Sequence, residues 1–154
     1  MTDITYIHVK PVGWTYLASV MDLYSRKILG YSYGKKIDAE LATKAVKNAC
    51  LNIKNTDGMI LQNDLGSQYT SDIFENCLNS KGIKHSFSRK GNPYDNACIE
   101  SFHSLLKKEM IYCNIIPLKK PNLTFSNISN PGTTTSSAML FWIIKLHRGL
   151  KIML

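Results

Sequence analysis

The sequence predicts an α/β domain, a mixed sheet with helices packed on it, in the order β-β-β-α-β-α-β-α. Three observations carry that expectation. The opening stretch alternates apolar and polar residues and is broken by turn residues. Later segments place apolar residues at helical spacing. Between them lie short apolar runs of the length of buried strands.

Each element has its own signal. Ile4–Lys10 alternates β-branched and aromatic residues with polar ones, and Pro11-Val12-Gly13 is a turn. Trp14–Met21 and Lys27–Tyr33 supply two more strands, joined through Asp22-Leu23-Tyr24-Ser25-Arg26. Asp38 caps a helix running to about Lys54, with Leu41, Ala42, Ala45, Val46, Ala49 and Ile53 on one face and Lys44, Lys47 and Lys54 largely on another. Asp57-Gly58 is a turn, and Met59–Gln62 fits a buried strand. Thr70 or Ser71 caps a second helix to about Ser80, closed by Gly82. Ile83–Ser88 is a strand, residues 91–96 a loop, and Ala97–Tyr112 a third helix.

With 154 residues and 44% apolar content, the chain can bury one core, and 19% charged residues argue against wholesale disorder. The net charge of +8 suggests a polyanionic partner, nucleic acid first. Its placement weakens that signal. Residues 1–117 carry 14 Lys/Arg against 11 Asp/Glu, whereas residues 118–154 carry five Lys/Arg and no acid. Composition therefore cannot by itself establish DNA binding. Cys50, Cys77, Cys98 and Cys113 are scattered without a Cys-x-x-Cys pair, so neither a disulfide framework nor a structural zinc site is expected. No apolar run is long enough to span a bilayer, and the expected location is the cytoplasm, with no membrane partner. Residues 1–116 read as the core domain. Residues 117–154 are an atypical tail, rich in Asn, Ser, Thr, Pro and Gly over Pro121–Ser137 and apolar over Met139–Leu146.

Three carboxylates stand out by placement: Asp3 on the first strand, Asp64 directly after the fourth, and Glu100 in the first turn of the last helix. Carboxylates at the ends of neighbouring strands, met by one from a helix, can cage two Mg²⁺ ions for phosphodiester chemistry. Singly, each has an ordinary alternative. Asp64 can open the turn that follows it, and Glu100 can favour the positive end of its helix.

The segments around these acids carry a resemblance. Thr2-Asp3-Ile4-Thr5-Tyr6-Ile7, Asp22-Leu23-Tyr24-Ser25-Arg26-Lys27-Ile28 and Asn63-Asp64-Leu65-Gly66-Ser67-Gln68-Tyr69-Thr70-Ser71 resemble segments of insertion-sequence transposases. So does the stretch from Ser88 to Phe102, followed by Leu106-Lys107-Lys108-Glu109. They run in the family's order over residues 2–112, with thirty-five residues between Asp64 and Glu100. The group most similar is the insertion-sequence-three family, whose core is similar to retroviral integrase. The resemblance implies a ribonuclease-H-like fold and a triad of Asp3, Asp64 and Glu100 binding two Mg²⁺ or Mn²⁺ ions. It implies DNA as partner, both transposon ends and target, and a homo-oligomer on DNA in the nucleoid. Water would attack first at the transposon end, and the freed 3′-hydroxyl would then attack target DNA, with no covalent enzyme intermediate.

Other residues are candidates for holding DNA. Helical spacing puts Ser104 and Lys107 on the face of Glu100, where Lys107 is either a phosphate contact or a solvated lysine. Arg89, Lys90 and Asn92 belong to a loop that either clamps DNA or is a simple turn. Asp22 reads as structural, His103 as a helix-surface histidine, and Trp14, Tyr16, Tyr31 and Tyr33 as core or sheet surface.

Two departures from the family bear on activity. No helix-turn-helix region precedes the core, so Asp3 is expected to be loosely held near a chain end. The family's closing segment is absent in frame, but back-translation allows it in another frame from about Phe125 to Arg148. A frameshift near Pro117 would explain that tail. The chain is then expected to be a core truncated at both ends. A hydrolytic nuclease on the same fold and a DNA-binding remnant without chemistry are the rival readings.

Overall fold

The computed structural model describes residues 1–9, 13–89 and 93–115. The expected tail, with its proposed frameshift, lies outside them, as do Lys90 and Asn92. Backbone contacts divide the chain into two compact units, Met1–His103 and Ser104–Leu154.

Strands β1 (Thr2–Val9), β2 (Gly13–Met21) and β3 (Ile28–Gly34) form an antiparallel sheet in the order β1-β2-β3. Thr2 pairs with Val20 and Asp3 with Ser19, so β1 is laddered from its first residues. The Thr2 hydroxyl adds a bond to the Ser19 carbonyl, 3.0 Å away. Asp3 is therefore tied into a sheet rather than fraying. The turn between β2 and β3 is organised by Asp22, whose carboxylate accepts from the Tyr24 and Ser25 amides and the Ser25 hydroxyl. Those donors hold the Asp22 carboxyl below its usual range, the Ser25 hydroxyl most of all. Arg26 closes the turn at φ 59°, a left-handed backbone that a side chain enters only at a cost.

Helix α1 (Ala39–Cys50) begins where Asp38 accepts from the Leu41 amide at 2.9 Å. It ends four residues earlier than its apolar spacing suggests. Asn52 and Ile53 bond back three residues, to Ala49 and Cys50, which tightens the chain out of the helix. The Asn52 side chain instead donates to the Leu29 carbonyl (2.8 Å), and Asn48 donates to Tyr31 (2.7 Å). Ala42, Ala45 and Ala49 face the sheet, and their small side chains allow the close approach of α1 that Gly30 of β3 receives.

Strand β4 (Ile60–Asn63) pairs in parallel with β5 (Lys84–Phe87) and neighbours β1. Helix α2 (Asp72–Asn79) starts at Ser71, whose hydroxyl caps the Phe74 amide, and Gly82 after it takes φ +65°. One apolar cluster joins the elements: Ile4, Ala18 and Val20 of the sheet, Leu41 and Val46 of α1, Leu61 of β4, and Tyr69, Phe74 and Leu78 around α2. A 3₁₀ turn over Pro93–Asp95 leads into α3 (Ala97–Ile115). At its start, Ile99 packs with Met1 and Met21 in a second cluster that Phe102 flanks. Trp14 is exposed and Tyr16 is partly buried beside the first cluster.

Candidate active site

The three predicted carboxylates come from β1, from the end of β4 and from the first turn of α3. Asp3 is partly buried, with 23% of its side chain exposed, while Asp64 and Glu100 are exposed. Asp64 stands just past the carboxyl end of β4, the end at which open α/β sheets bind ligands. Its Oδ1 accepts from the Gly66 amide at 3.1 Å, so the turn-opening role that competes for Asp64 is realised as well.

Tyr69 feels the charges of both Asp3 and Asp64. This phenol is fully buried, and its hydroxyl has no hydrogen-bond partner. Burial first, and then the nearby charges of Asp3 and Asp64, push its ionisation well above the usual range. The Thr2 hydroxyl, which donates to the Ser19 carbonyl, opposes this. Among the described residues, no three His, Cys, Asp or Glu side chains form a group close enough to hold a metal. The donor set itself suits Mg²⁺ or Mn²⁺, since all three are hard oxygen ligands.

His103 departs from its expected surface position. It is 4% exposed, its Nδ1 lies 3.4 Å from Asp3 Oδ2, and its Nε2 lies 3.3 Å from the Ser19 hydroxyl. Ile99, His103 and Leu106 are all buried, and their spacing of four and three residues marks one inward stripe of the helix. Reading that stripe from Ile99 and Leu106 would have turned His103 inward.

The residues expected to contact DNA are placed unevenly. Arg89 is exposed over 81% of its side chain, and its Nε is 3.6 Å from Asp95 Oδ2. Its amide donates to the same carboxylate, and the Ser88 and Asn96 side chains bond at 2.8 Å, so both ends of the loop are anchored. Ser104 is exposed and Lys107 partly buried on α3.

Sequence reasoning did not see the network beside Asp64. Asn63, fully buried, donates from Nδ2 to the Asp64 carbonyl (2.6 Å) and accepts at Oδ1 from His85 Nε2 (2.7 Å). The other ring nitrogen of His85 meets Glu75 Oε1 of α2. Residues twenty-two positions apart and on different strands leave no local signal of such contact.

Comparison with known proteins adds to this geometry. Residues 1–93 match the integrase core domain family. The chain is 44% identical over 109 residues to the transposase for insertion sequence element IS904 of Lactococcus lactis, covering 71% of this chain and 43% of that protein. It is 41% identical over 110 residues to transposase InsF for insertion sequence IS3A of Escherichia coli, covering 71% and 38%. It thus spans about two-fifths of the length of these relatives. Among solved structures, the chain is similar to one in the simian T-cell lymphotropic virus intasome (TM-score 0.68, 20% identity, 90% of this chain and 45% of that one). It is also similar to the HTLV-2 integrase catalytic core domain in complex with magnesium (TM-score 0.60, 21% identity, 82% and 75%). The fold is that of retroviral integrase cores, ribonuclease-H-like.

Proposed function

Because the chain belongs to the integrase core domain family, we propose that it is the catalytic core of a transposase that cuts and joins DNA with divalent metal ions. The observation that carries the reading is His103 Nδ1 lying 3.4 Å from Asp3 Oδ2, which ties the helix that carries Glu100 to the strand that carries Asp3, while Asp64 ends the strand beside it. Asp3, Asp64 and Glu100 would hold two Mg²⁺ or Mn²⁺ ions. When bound, such ions neutralise charge on the attacking and leaving oxygens of an in-line phosphoryl displacement. The protein's own part is placement. The ladder fixes Asp3, the turn to Gly66 fixes the Asp64 side chain, and the first turn of α3 presents Glu100.

Cleavage adds water across the phosphodiester at a transposon end and frees a 3′-hydroxyl. Strand transfer then exchanges that hydroxyl for a target-strand oxygen, conserving the number of phosphodiester bonds. Arg89, Lys90, Asn92, Ser104 and Lys107 would hold DNA phosphates. The working form would be a homo-oligomer bridging two DNA ends in the nucleoid. The magnesium of the HTLV-2 core and the intasome of the simian virus support the metal and the assembly.

The test is a disintegration assay: purified protein, branched DNA, Mg²⁺, and Asp64→Asn alongside. Resealed product that requires Asp64 supports the reading. Cutting without resealing would assign a hydrolytic nuclease instead. DNA binding indifferent to Asp64→Asn, with no metal-dependent product, would leave a DNA-binding remnant.

A further inference from the structure

The network beside Asp64 reaches further than a local turn. Asn63 ends β4, and its side chain is wholly enclosed. The Asp64 carbonyl can only accept, so the Asn63 amide must present Nδ2 to it. That orientation leaves Oδ1 toward His85, and Oδ1 can only accept, so His85 Nε2 carries a proton. On the far side of the ring, Nδ1 faces the Glu75 carboxylate, which is again an acceptor. Both ring nitrogens therefore face an acceptor, and the ring is held between Glu75 and Asn63.

The ring has little freedom to leave that position. His85 is 8% exposed at its side chain and lies between Phe74 and Phe87, with centroids 5.5 Å and 4.2 Å away. Glu75, at 37% exposure, is the end of the chain of bonds that reaches solvent. Asp64 is thereby gripped twice: Asn63 holds its carbonyl and Gly66 holds its carboxylate. With the peptide and the side chain both fixed, the second oxygen of the carboxylate has a set direction.

We propose that Glu75, His85 and Asn63 are positioning residues for Asp64, a hydrogen-bonded relay from α2 through β5 that aims the Asp64 carboxylate off the end of β4. The proposal rests on the reading of Asp64 as a metal-binding carboxylate. Partners that orient a ligand in this way commonly govern metal affinity by about 10–100-fold.

The test uses His85→Phe, which keeps a ring between Phe74 and Phe87 but removes both donors. Glu75→Gln is its conservative companion, because the amide oxygen still accepts from Nδ1. Two readouts are taken on the metal-free and Mn²⁺-titrated protein: backbone amide resonances of Asp64 and Gly66, and affinity for Mn²⁺ alone. The relay predicts that His85→Phe shifts both resonances and weakens Mn²⁺ binding at least about tenfold, while Glu75→Gln stays near wild type in both. Unmoved Asp64 and Gly66 resonances in His85→Phe would overturn it. If His85→Phe does not fold, Glu75→Leu cuts the relay at its exposed end and is judged by the same resonances. Failure of the metal reading has a separate signature. Asp64→Asn would then bind Mn²⁺ as wild type does, while the resonances still decide the relay.

Discussion

Gly30 of β3 lies so close to Ala49 of α1 that a Cβ on Gly30 would stand 2.2 Å from the Ala49 nitrogen and 2.5 Å from its Cα. The obstructing atoms are backbone, and the Ala45 carbonyl is 2.8 Å from the same point, so no rotamer change relieves the clash. Gly30→Ala must push α1 away from the sheet, and overpacking of this kind costs about 3 kcal/mol. Urea denaturation measures it; a loss under about 0.5 kcal/mol would show that the helix is free to shift.

Tyr69 keeps a buried hydroxyl without a partner while its ring packs edge-on against Phe74 at 5.2 Å. Phenylalanine keeps the ring contact and removes an unsatisfied polar group whose burial costs about 1–3 kcal/mol. Tyr69→Phe is therefore expected to match or exceed wild-type stability in metal-free protein. A loss greater than about 1 kcal/mol would mean that the hydroxyl has a native partner.

Asp22 gives the fold a pH-dependent component with a definite sign. Its carboxyl is held below the ordinary value by the Ser25 hydroxyl and the turn amides. The stability it contributes is thus present above the unfolded-state value, about 3.9, and is lost as pH falls through the folded value. The stability difference between wild type and Asp22→Asn should shrink as pH drops below that range. A difference that stays constant from pH 7 to pH 2.5 would remove Asp22 from the account.

The proposed metal site makes a thermodynamic prediction apart from turnover. The core is built by packing between sheet and helices, so chelation should leave helix content unchanged. Mn²⁺ at ten times its dissociation constant should add about 1.4 kcal/mol of stability by mass action. Asp64→Asn should lose that increment. An equal increment in wild type and variant would locate metal binding away from Asp64.

How far the sequence told this depended on how local each signal was. Asp38 and Ser71 announce their helices because a cap acts within three residues, and the structure uses both. Apolar spacing carried the first helix on to Lys54, whereas its end is set by Asn52 reaching to Leu29 on another strand, which no window contains. The fold class and the family segments were legible. Asp3, Asp64 and Glu100 were legible as candidates only through pattern and resemblance. His103 was misplaced because its single polar label hid the buried stripe that it shares with Ile99. Asn63, His85 and Glu75 meet only after α2 and β5 have packed, so nothing in any one segment marked them.

One further consequence follows from Asn48 and Asn52. By donating to the Tyr31 and Leu29 carbonyls they occupy acceptors along the outer edge of β3, the edge that another strand would need. A sheet with an open edge invites a second chain to continue it. With those two carbonyls taken by Asn48 and Asn52, β3 offers an incoming strand an incomplete row of acceptors.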